Sequence, residues 1–135
     1  MVTVGPLKLK AQVLWGDAPA MGPGKADLLE AIDRHGSISA GARSMGMSYR
    51  RAWNLVDEMN RHFADTIVET AHGGPDNGAR LTSAGREVLT AFRRLEARLF
   101  EAAPTDALAL ISAKLKPSPD AVKIRPSPGR KAKAG

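Results

Sequence analysis

The sequence predicts a mostly α-helical domain with a small β-sheet, and three observations support this. Residues 36–53 contain a helix, a glycine turn and a second helix that starts with two arginines. A segment rich in turn formers, residues 71–78, then separates two short β-prone runs. A long apolar stripe with helical spacing follows from Leu81. Together these features predict a winged helix-turn-helix fold with a long C-terminal helix.

The N-terminal segment alternates between apolar and other residues from Leu7 to Trp15. Period-two alternation over nine residues predicts a single half-buried strand. Residues 16–24 include two prolines and three glycines, which predicts a loop. Residues 25–35 are then expected to form a helix that ends at Gly36. Its predicted buried residues are Leu28, Leu29 and Ile32.

The helix-turn-helix prediction depends on small and capping residues. Gly46 can adopt the positive φ of a tight turn, and Ala42 is small where the two helices must cross. Ser39 and Ser48 are each placed to cap a helix start, where a side-chain oxygen accepts from an otherwise unpaired backbone N–H. We therefore expect two short helices joined by a tight turn.

The second of these helices is predicted from Tyr49 to about Phe63, with a buried side of Ala52, Val56, Met59 and Phe63. The start of a helix in the major groove contacts base edges with its first turn. Arginine suits guanine and asparagine suits adenine. The candidate DNA-contacting residues are Ser48, Tyr49, Arg50, Arg51 and Asn54.

Each of these assignments has an alternative. The two arginines can simply form a solvated helix face, although the glycine turn, the caps and the following hairpin argue against this. Tyr49 can donate to a phosphate or cover the helix junction. Trp53 is expected to pack in the core or against the hairpin, in preference to touching DNA.

The hairpin after this helix, the wing, is predicted from strands at residues 66–70 and 79–82. His72 and Arg80 are candidate contacts to the DNA backbone from the wing, and Ser39 is a further DNA-contact candidate. The glycines of the wing lack the spacing of nucleotide-binding loops. No cofactor is expected.

A long helix capped by Thr82 or Ser83 is predicted to reach about Ala103. Apolar and small residues recur along it at alternating steps of four and three, namely Leu81, Gly85, Val88, Phe92, Leu95, Leu99 and Ala102. Such a seam is typical of a helix that packs against another helix. We expect a homodimer interface that includes Val88, Phe92, Leu95 and Leu99; the alternative is packing on the helix's own domain.

Composition separates a domain at residues 1–103 from a tail at 104–135. The net charge is +6, and the domain holds 13 Lys and Arg against 12 Asp and Glu, whereas the tail holds 7 against 2. A short helix is expected at 105–115, and the Pro- and Lys-rich remainder is expected to be disordered. The basic charge raises attraction to polyanions without reading sequence.

Several classes of function are disfavoured by what the sequence contains. There are no cysteines, and three scattered histidines show no metal-ligand spacing, so no metal site is expected. No catalytic arrangement is recognisable, which argues against an enzyme. Without a signal pattern or a long apolar run, a soluble cytoplasmic protein with no membrane partner is expected.

A family resemblance adds to these predictions. The motifs Ser-Tyr-x-x-Ala-Trp at 48–53 and Glu-Met-Asn at 58–60, with Gly36-Ser37-Ile38-Ser39 before them and Leu81-Thr82 after, resemble the N-terminal domain of ModE-type molybdate-responsive transcriptional regulators. The resemblance covers residues 7–99. It implies a LysR-like winged helix, a dimer formed by the long helix, and DNA reading by the second helix of the helix-turn-helix.

The resemblance stops where that family carries molybdate-binding modules, so no molybdate binding by this chain alone is expected. The chain would then act constitutively, receive its signal from a separate sensor protein, as yet unknown, or regulate something other than molybdenum metabolism. The resulting hypothesis is a sequence-specific regulator that binds double-stranded DNA as a homodimer on a pseudo-palindromic operator. The alternatives are a nucleoid-type non-specific DNA-binding protein and a protein-interaction module on the same scaffold.

Overall fold

The computed structural model describes residues 2–71, 77–103 and 105–119. The chain divides into two units, residues 1–102 and 103–135. In the first, four short strands precede the helices: β1 (Val2–Val4), β2 (Leu7–Leu9), β3 (Val13–Trp15) and β4 (Ala18–Met21). They form two separate antiparallel hairpins, β1 with β2 and β3 with β4.

This arrangement corrects the predicted single strand from Leu7 to Trp15. The segment is two strands, and part of the predicted loop forms β4. The alternation marks a half-buried face only from Leu7 to Ala11, because Val13 and Trp15 are 43% and 63% exposed. The backbone reverses at Gly16, which has a φ of 63°, so β3 pairs with the strand that follows it.

Three helices come next: α1 (Pro23–His35), α2 (Ile38–Ser44) and α3 (Tyr49–His62). Gly36 ends α1 in the left-handed conformation, and its N–H donates to the Ile32 carbonyl at 2.8 Å. Where α1 crosses α2, a Cβ on Gly41 would lie 3.1 Å from the Ile32 nitrogen, which is tighter than ordinary contact, so glycine favours this close approach. Ala42, predicted to be small where α2 and α3 cross, is buried.

The wing consists of β5 (Val68–Thr70) and β6 (Ala79–Leu81), and α4 (Ser83–Glu101) follows it. Thr82 caps α4 by accepting the Gly85 N–H at 2.9 Å, which confirms one of the two predicted caps. A Cβ at Gly85 would clash with the Ile67 carbonyl oxygen, so this glycine lets α4 start directly against the chain that enters the wing.

The core lies between α1, α3, α4 and the wing. The predicted residues of α1 and α3 are buried there; the largest fully buried side chains of the described residues are Met21, Leu28, Leu29, Ile32, Met59, Ile67 and Val68. Phe63 ends α3 as its C-cap and is only partly buried. The fold is therefore mostly helical with small antiparallel sheets, as predicted.

Arginines of α4 tie this helix to α1. Arg93 contacts Asp27 at 2.6 Å, Glu30 at 2.9 Å and Glu96 at 2.8 Å. Burial alone raises the pKa of the Glu96 carboxyl, but its hydrogen bonds and the nearby positive charges, including Arg93, lower that pKa below its ordinary value. Arg86 adds a two-bond contact to Asp33, at 2.7 and 3.2 Å.

The second unit is represented by α5 (Thr105–Lys114), where a short helix was expected. None of its residues is buried, and Leu110, Ile111 and Leu115 are more than half exposed. Residues 120–135, predicted to be disordered, lie outside the described residues. None of the helices in the described ranges is long and apolar enough to span a membrane.

Candidate nucleic-acid interface

The start of α3 is capped and set by a tight turn. Ser48 accepts the Arg51 N–H at 3.1 Å, as predicted, and its own backbone is extended. Gly46 has a φ of 64°, which a non-glycine residue rarely adopts. The Met47 N–H donates to the Ala42 carbonyl at 2.9 Å, so the turn is held against the end of α2.

The first turn of α3 presents its polar side chains away from the core. Ala52 is fully buried, and Arg50 and Asn54 lie two residues on either side of it, about 200° around the helix axis. Arg50 and Asn54 are both exposed, as is Arg51. Because Arg50 and Asn54 are four residues apart, their side chains are neighbours on one face.

The charges along α3 leave its first turn positive. Neither Arg50 nor Arg51 forms an ion pair with any residue in the described ranges. The acidic residues further along are neutralised, since Asp57 contacts Arg61 at 3.1 Å and Glu58 contacts the buried Lys25 at 3.1 Å. The positive end of α3 is therefore uncompensated, whereas the rest of the helix is balanced.

Asn60 fixes the distance between α3 and the wing. Its Oδ1 accepts the N–H groups of Ile67 at 2.8 Å and Val68 at 3.1 Å, and its Nδ2 donates to the Val68 carbonyl at 3.1 Å. From the other side of the wing, the Ala79 N–H donates to the Gly36 carbonyl at 2.8 Å. The base of the wing is thus bonded both to α3 and to the turn between α1 and α2.

The structural roles of Asn60 and Lys25, which bond to distant segments, were not predicted from the sequence. Lys25 is 7% exposed and donates to the Pro19 carbonyl at 2.5 Å, in addition to its contact with Glu58. Both residues act by bonding to segments distant in sequence, which no spacing within one element indicates. The Glu-Met-Asn motif includes Glu58 and Asn60 but does not indicate which groups their side chains contact.

The remaining polar candidates have different surroundings. Ser39 does not cap α2: Ser37 does, by accepting the Ala40 N–H at 3.0 Å, while Ser39 accepts from the Arg43 guanidinium at 2.9 Å. Helix α2 begins one residue before Ser39, so only Ser37 is in the capping position. Arg80 is highly exposed on the wing and contacts Glu69 at 3.1 Å. His72 lies outside the described residues.

Two aromatic residues lie on the wing side of α3. Tyr49 and Trp53 are 37% and 46% exposed and, being four residues apart, are neighbours. They line one side of a groove of about 170 Å³, whose other lining residues are Ile38, Thr70, Ala71, Asn77 and Ala79. Trp53 therefore lies at the wing, one of its two expected locations, and is not part of the core.

The predicted seam of α4 divides into two parts. Gly85 and Phe92 are buried in their own domain, and Val88 packs partly against the same core. Leu95, Leu99 and Phe100 are 41%, 40% and 45% exposed. The first half of the seam therefore follows the alternative of packing on its own domain, because the wing and α1 lie against it.

An apolar groove of about 200 Å³ lies beside the exposed half of α4. It is lined by Val13, Met21, Phe63, Val88, Ala91, Phe92 and Leu95. Leu14 and Trp15 on the β3–β4 hairpin are also exposed. The ring of Trp15 stacks on His62 with centroids 5.5 Å apart, which links that hairpin to the end of α3.

Comparison with known proteins gives this fold a family context. Residues 25–86 match the bacterial regulatory helix-turn-helix proteins of the lysR family. The chain is 44% identical to the molybdenum-pterin-binding protein MopA of Rhodobacter capsulatus over 86 residues, 63% of this chain and 32% of that protein. It is 41% identical to the DNA-binding transcriptional dual regulator ModE of Escherichia coli over 68 residues, 50% of this chain and 26% of that protein.

A solved structure agrees with the fold. The DNA-binding domain of CbnR, determined as a DNA complex, superposes with a TM-score of 0.51 at 18% identity, covering 64% of this chain and 95% of that domain. The chain spans about a third of the length of the curated relatives it matches. Residues 25–86 are thus similar to the helix-turn-helix of the lysR family, within a winged-helix fold, and the chain resembles the ModE-type relatives over part of their length.

Proposed function

We propose that this chain regulates transcription by binding, as a homodimer, to a pseudo-palindromic operator in double-stranded DNA. In each protomer α3 enters the major groove with its first turn. Arg50, Arg51 and Asn54 contact base edges, while Ser48 and Tyr49 contact phosphates. Ser39, His72 and Arg80 are proposed as further contacts to the DNA backbone.

One observation carries this proposal. Arg50 and Asn54 lie exposed on the face of α3 opposite the buried Ala52, and Arg50 has no carboxylate partner among the described residues. An unneutralised guanidinium beside an amide, both exposed at a helix start, has the chemistry needed to bind guanine and adenine in one groove. A surface that served only solubility would not need this combination at the first turn.

Selection of bound fragments from random duplex DNA tests the proposal. We expect an inverted repeat whose half-sites are centred about 34–36 Å apart, one helical turn, because a twofold dimer places its two recognition helices in successive major grooves. The same selection with residues 116–135 deleted separates the specific from the nucleoid-type hypothesis. Retained preference with weaker binding supports the proposal, whereas loss of nearly all binding favours the non-specific alternative.

The dimer is proposed to form through the exposed half of α4. Leu95, Leu99 and Phe100 form an apolar ridge, and the apolar groove lies next to it in the same protomer. A twofold interface needs a surface that is complementary to itself, and an adjacent ridge and groove provide one. Burial of these leucines against a second copy would remove apolar surface from water.

Substitution of Leu95 tests the dimer. We expect Leu95→Glu to give a monomer in sedimentation experiments. Binding to the full operator should weaken by about 100-fold, because a monomer loses the avidity of a dimer that contacts two linked half-sites at once. Leu110→Glu on α5, an equally apolar and more exposed site, is the matched control and is expected to leave the dimer intact. A dimer that survives Leu95→Glu contradicts this interface.

We also propose that DNA binding by this chain is independent of molybdate. The similarity to the ModE-type relatives covers only about a third of their length, and the family match lies at residues 25–86. Operator affinity measured with and without millimolar molybdate is expected to be the same. A shift in affinity would show that the chain senses the oxyanion itself.

A further inference from the structure

The aromatic side of α3 suggests a second mode of base recognition, which rests on the proposed function. Tyr49 and Trp53 border two grooves at once. One lies between them and the wing, and the other runs along α3 and is lined by Tyr49, Arg50, Trp53 and Asn54. The two aromatic rings therefore stand as a ridge directly beside the polar pair Arg50 and Asn54.

The exposure of this ridge needs an explanation. Trp53 has the largest side chain on α3, and 46% of its surface is exposed. The residue before it, Ala52, is fully buried and lies only about 100° away around the helix axis. Exposed aromatic surface at a binding face is typical of residues that become buried with the partner. The neighbouring Arg50 and Arg51 give this face a positive charge that suits DNA.

The major groove offers one apolar group to such a ridge. Among the four base edges, only thymine presents a methyl group there, at C5, and side chains read it by apolar contact. Arginine and asparagine beside the ridge bind guanine and adenine, so a thymine next to those bases would lie within reach of Trp53. Deoxyribose and phosphate, the other occupants of this region, are less apolar or are charged.

We propose that Trp53, supported by Tyr49, contacts the 5-methyl group of a thymine in each half-site, and so determines specificity at a position that no hydrogen bond reads. The wing side of the groove, from Thr70 and Ala71, encloses the same methyl group. Recognition by each protomer then has two parts, a hydrogen-bonded one from Arg50 and Asn54 and an apolar one from Trp53.

Replacing single thymines of the selected operator by deoxyuridine tests this inference, since that change removes only the methyl group. For the wild-type protein we expect one position per half-site at which the dissociation constant rises about fourfold, the effect of burying one carbon group. Trp53→Ala is expected to bind the thymine and deoxyuridine operators equally. Arg50→Ala, the matched control, is expected to bind both more weakly while keeping their ratio.

Three results would overturn the inference while leaving the proposed function standing. These are a specific operator with no thymine in its half-sites, a wild-type protein indifferent to every methyl group, and a Trp53→Ala protein that still discriminates. Failure to select any operator would instead count against the proposed function itself. Circular dichroism of Trp53→Ala checks its fold, and the fluorescence of Trp53 in the complex tests the contact even if that variant is unstable.

Fluorescence gives an independent readout. The chain has two tryptophans, and Trp15→Phe leaves Trp53 as the single emitter. We expect operator DNA to change the emission of this variant and to shield it from a soluble quencher. Unchanged emission and quenching in the complex would place Trp53 outside the interface and contradict the proposal.

Discussion

The arginines of α3 and those of α4 carry the same charge in contrasting surroundings. Arg86 and Arg93 on α4 are matched by carboxylates of α1, in the case of Arg93 at two positions there and at Glu96. Arg50 and Arg51 on α3 have no such partner within the described ranges. The sequence alone does not distinguish the paired arginines from the unpaired ones.

The difference separates stability from function. A guanidinium held by carboxylates is already satisfied and stabilises the packing of two helices. An exposed guanidinium without a partner contributes little to the fold and leaves its donors available for a polyanion. We therefore expect substitutions of the paired arginines on α4 to change unfolding and substitutions of the unpaired arginines on α3 to change DNA binding.

Arg93→Ala is expected to have the largest effect. It removes the guanidinium from Glu96, which is 5% exposed, and from two carboxylates of α1. We expect the free energy of unfolding to fall by about 2–3 kcal/mol, because a largely buried carboxylate loses one of its cationic partners and two carboxylates of α1 lose theirs. Urea unfolding measures this loss, and the base preference of the folded protein should be unchanged. A variant with wild-type stability would contradict the assignment of Arg93 to the fold.

Arg50→Ala is expected to show the opposite pattern. Affinity for the selected operator should fall by about 1–3 kcal/mol, or five- to 150-fold, as one bidentate base contact is lost. Stability should change by no more than about 0.5 kcal/mol, since the side chain is exposed. Fluorescence anisotropy on operator and unrelated duplexes distinguishes the two possible roles. An equal loss on both would identify Arg50 as a phosphate contact.

Arg86→Ala should have the smallest effect. It compares an exposed ion pair of α4 with the more buried ion pairs of Arg93. Its pair with Asp33 is bidentate but solvent-exposed, with 57% and 38% of the two side chains accessible. We expect a loss of at most about 1 kcal/mol in stability. The loss should shrink in molar salt, which screens exposed charges. A salt-insensitive loss as large as that of Arg93→Ala would show that exposure does not separate these two sites.

The sequence was most informative where local rules determine the outcome. Gly36 and Gly46 adopt the positive φ that their positions required, and Ser48 and Thr82 cap the predicted helices. The buried positions Ala52, Val56 and Met59 follow directly from helical spacing. The helix-turn-helix was therefore predictable almost to the residue.

The incorrect predictions have a physical cause, because each depended on which distant segment a residue packs against. Alternation from Leu7 to Trp15 indicated β structure but could not indicate which strand pairs with which, so two hairpins were taken for one strand. The seam of α4 could not be divided into inward and outward halves, because that depends on where the wing lies. Asn60 and Lys25 act across long sequence separations, where spacing rules give no information.

One backbone bond, from Ala79 in the wing to Gly36, has a consequence for control. Together with Asn60, it joins the hairpin base, the turn after α1 and α3 into one hydrogen-bonded unit. Rotation of the hairpin about its base relative to α3 would break these bonds, so it does not offer a way to change the affinity for DNA. In the proposed homodimer, the quantity left to adjust is the distance between the two helix-turn-helix units, and binding to operators lengthened by one or two base pairs would report it.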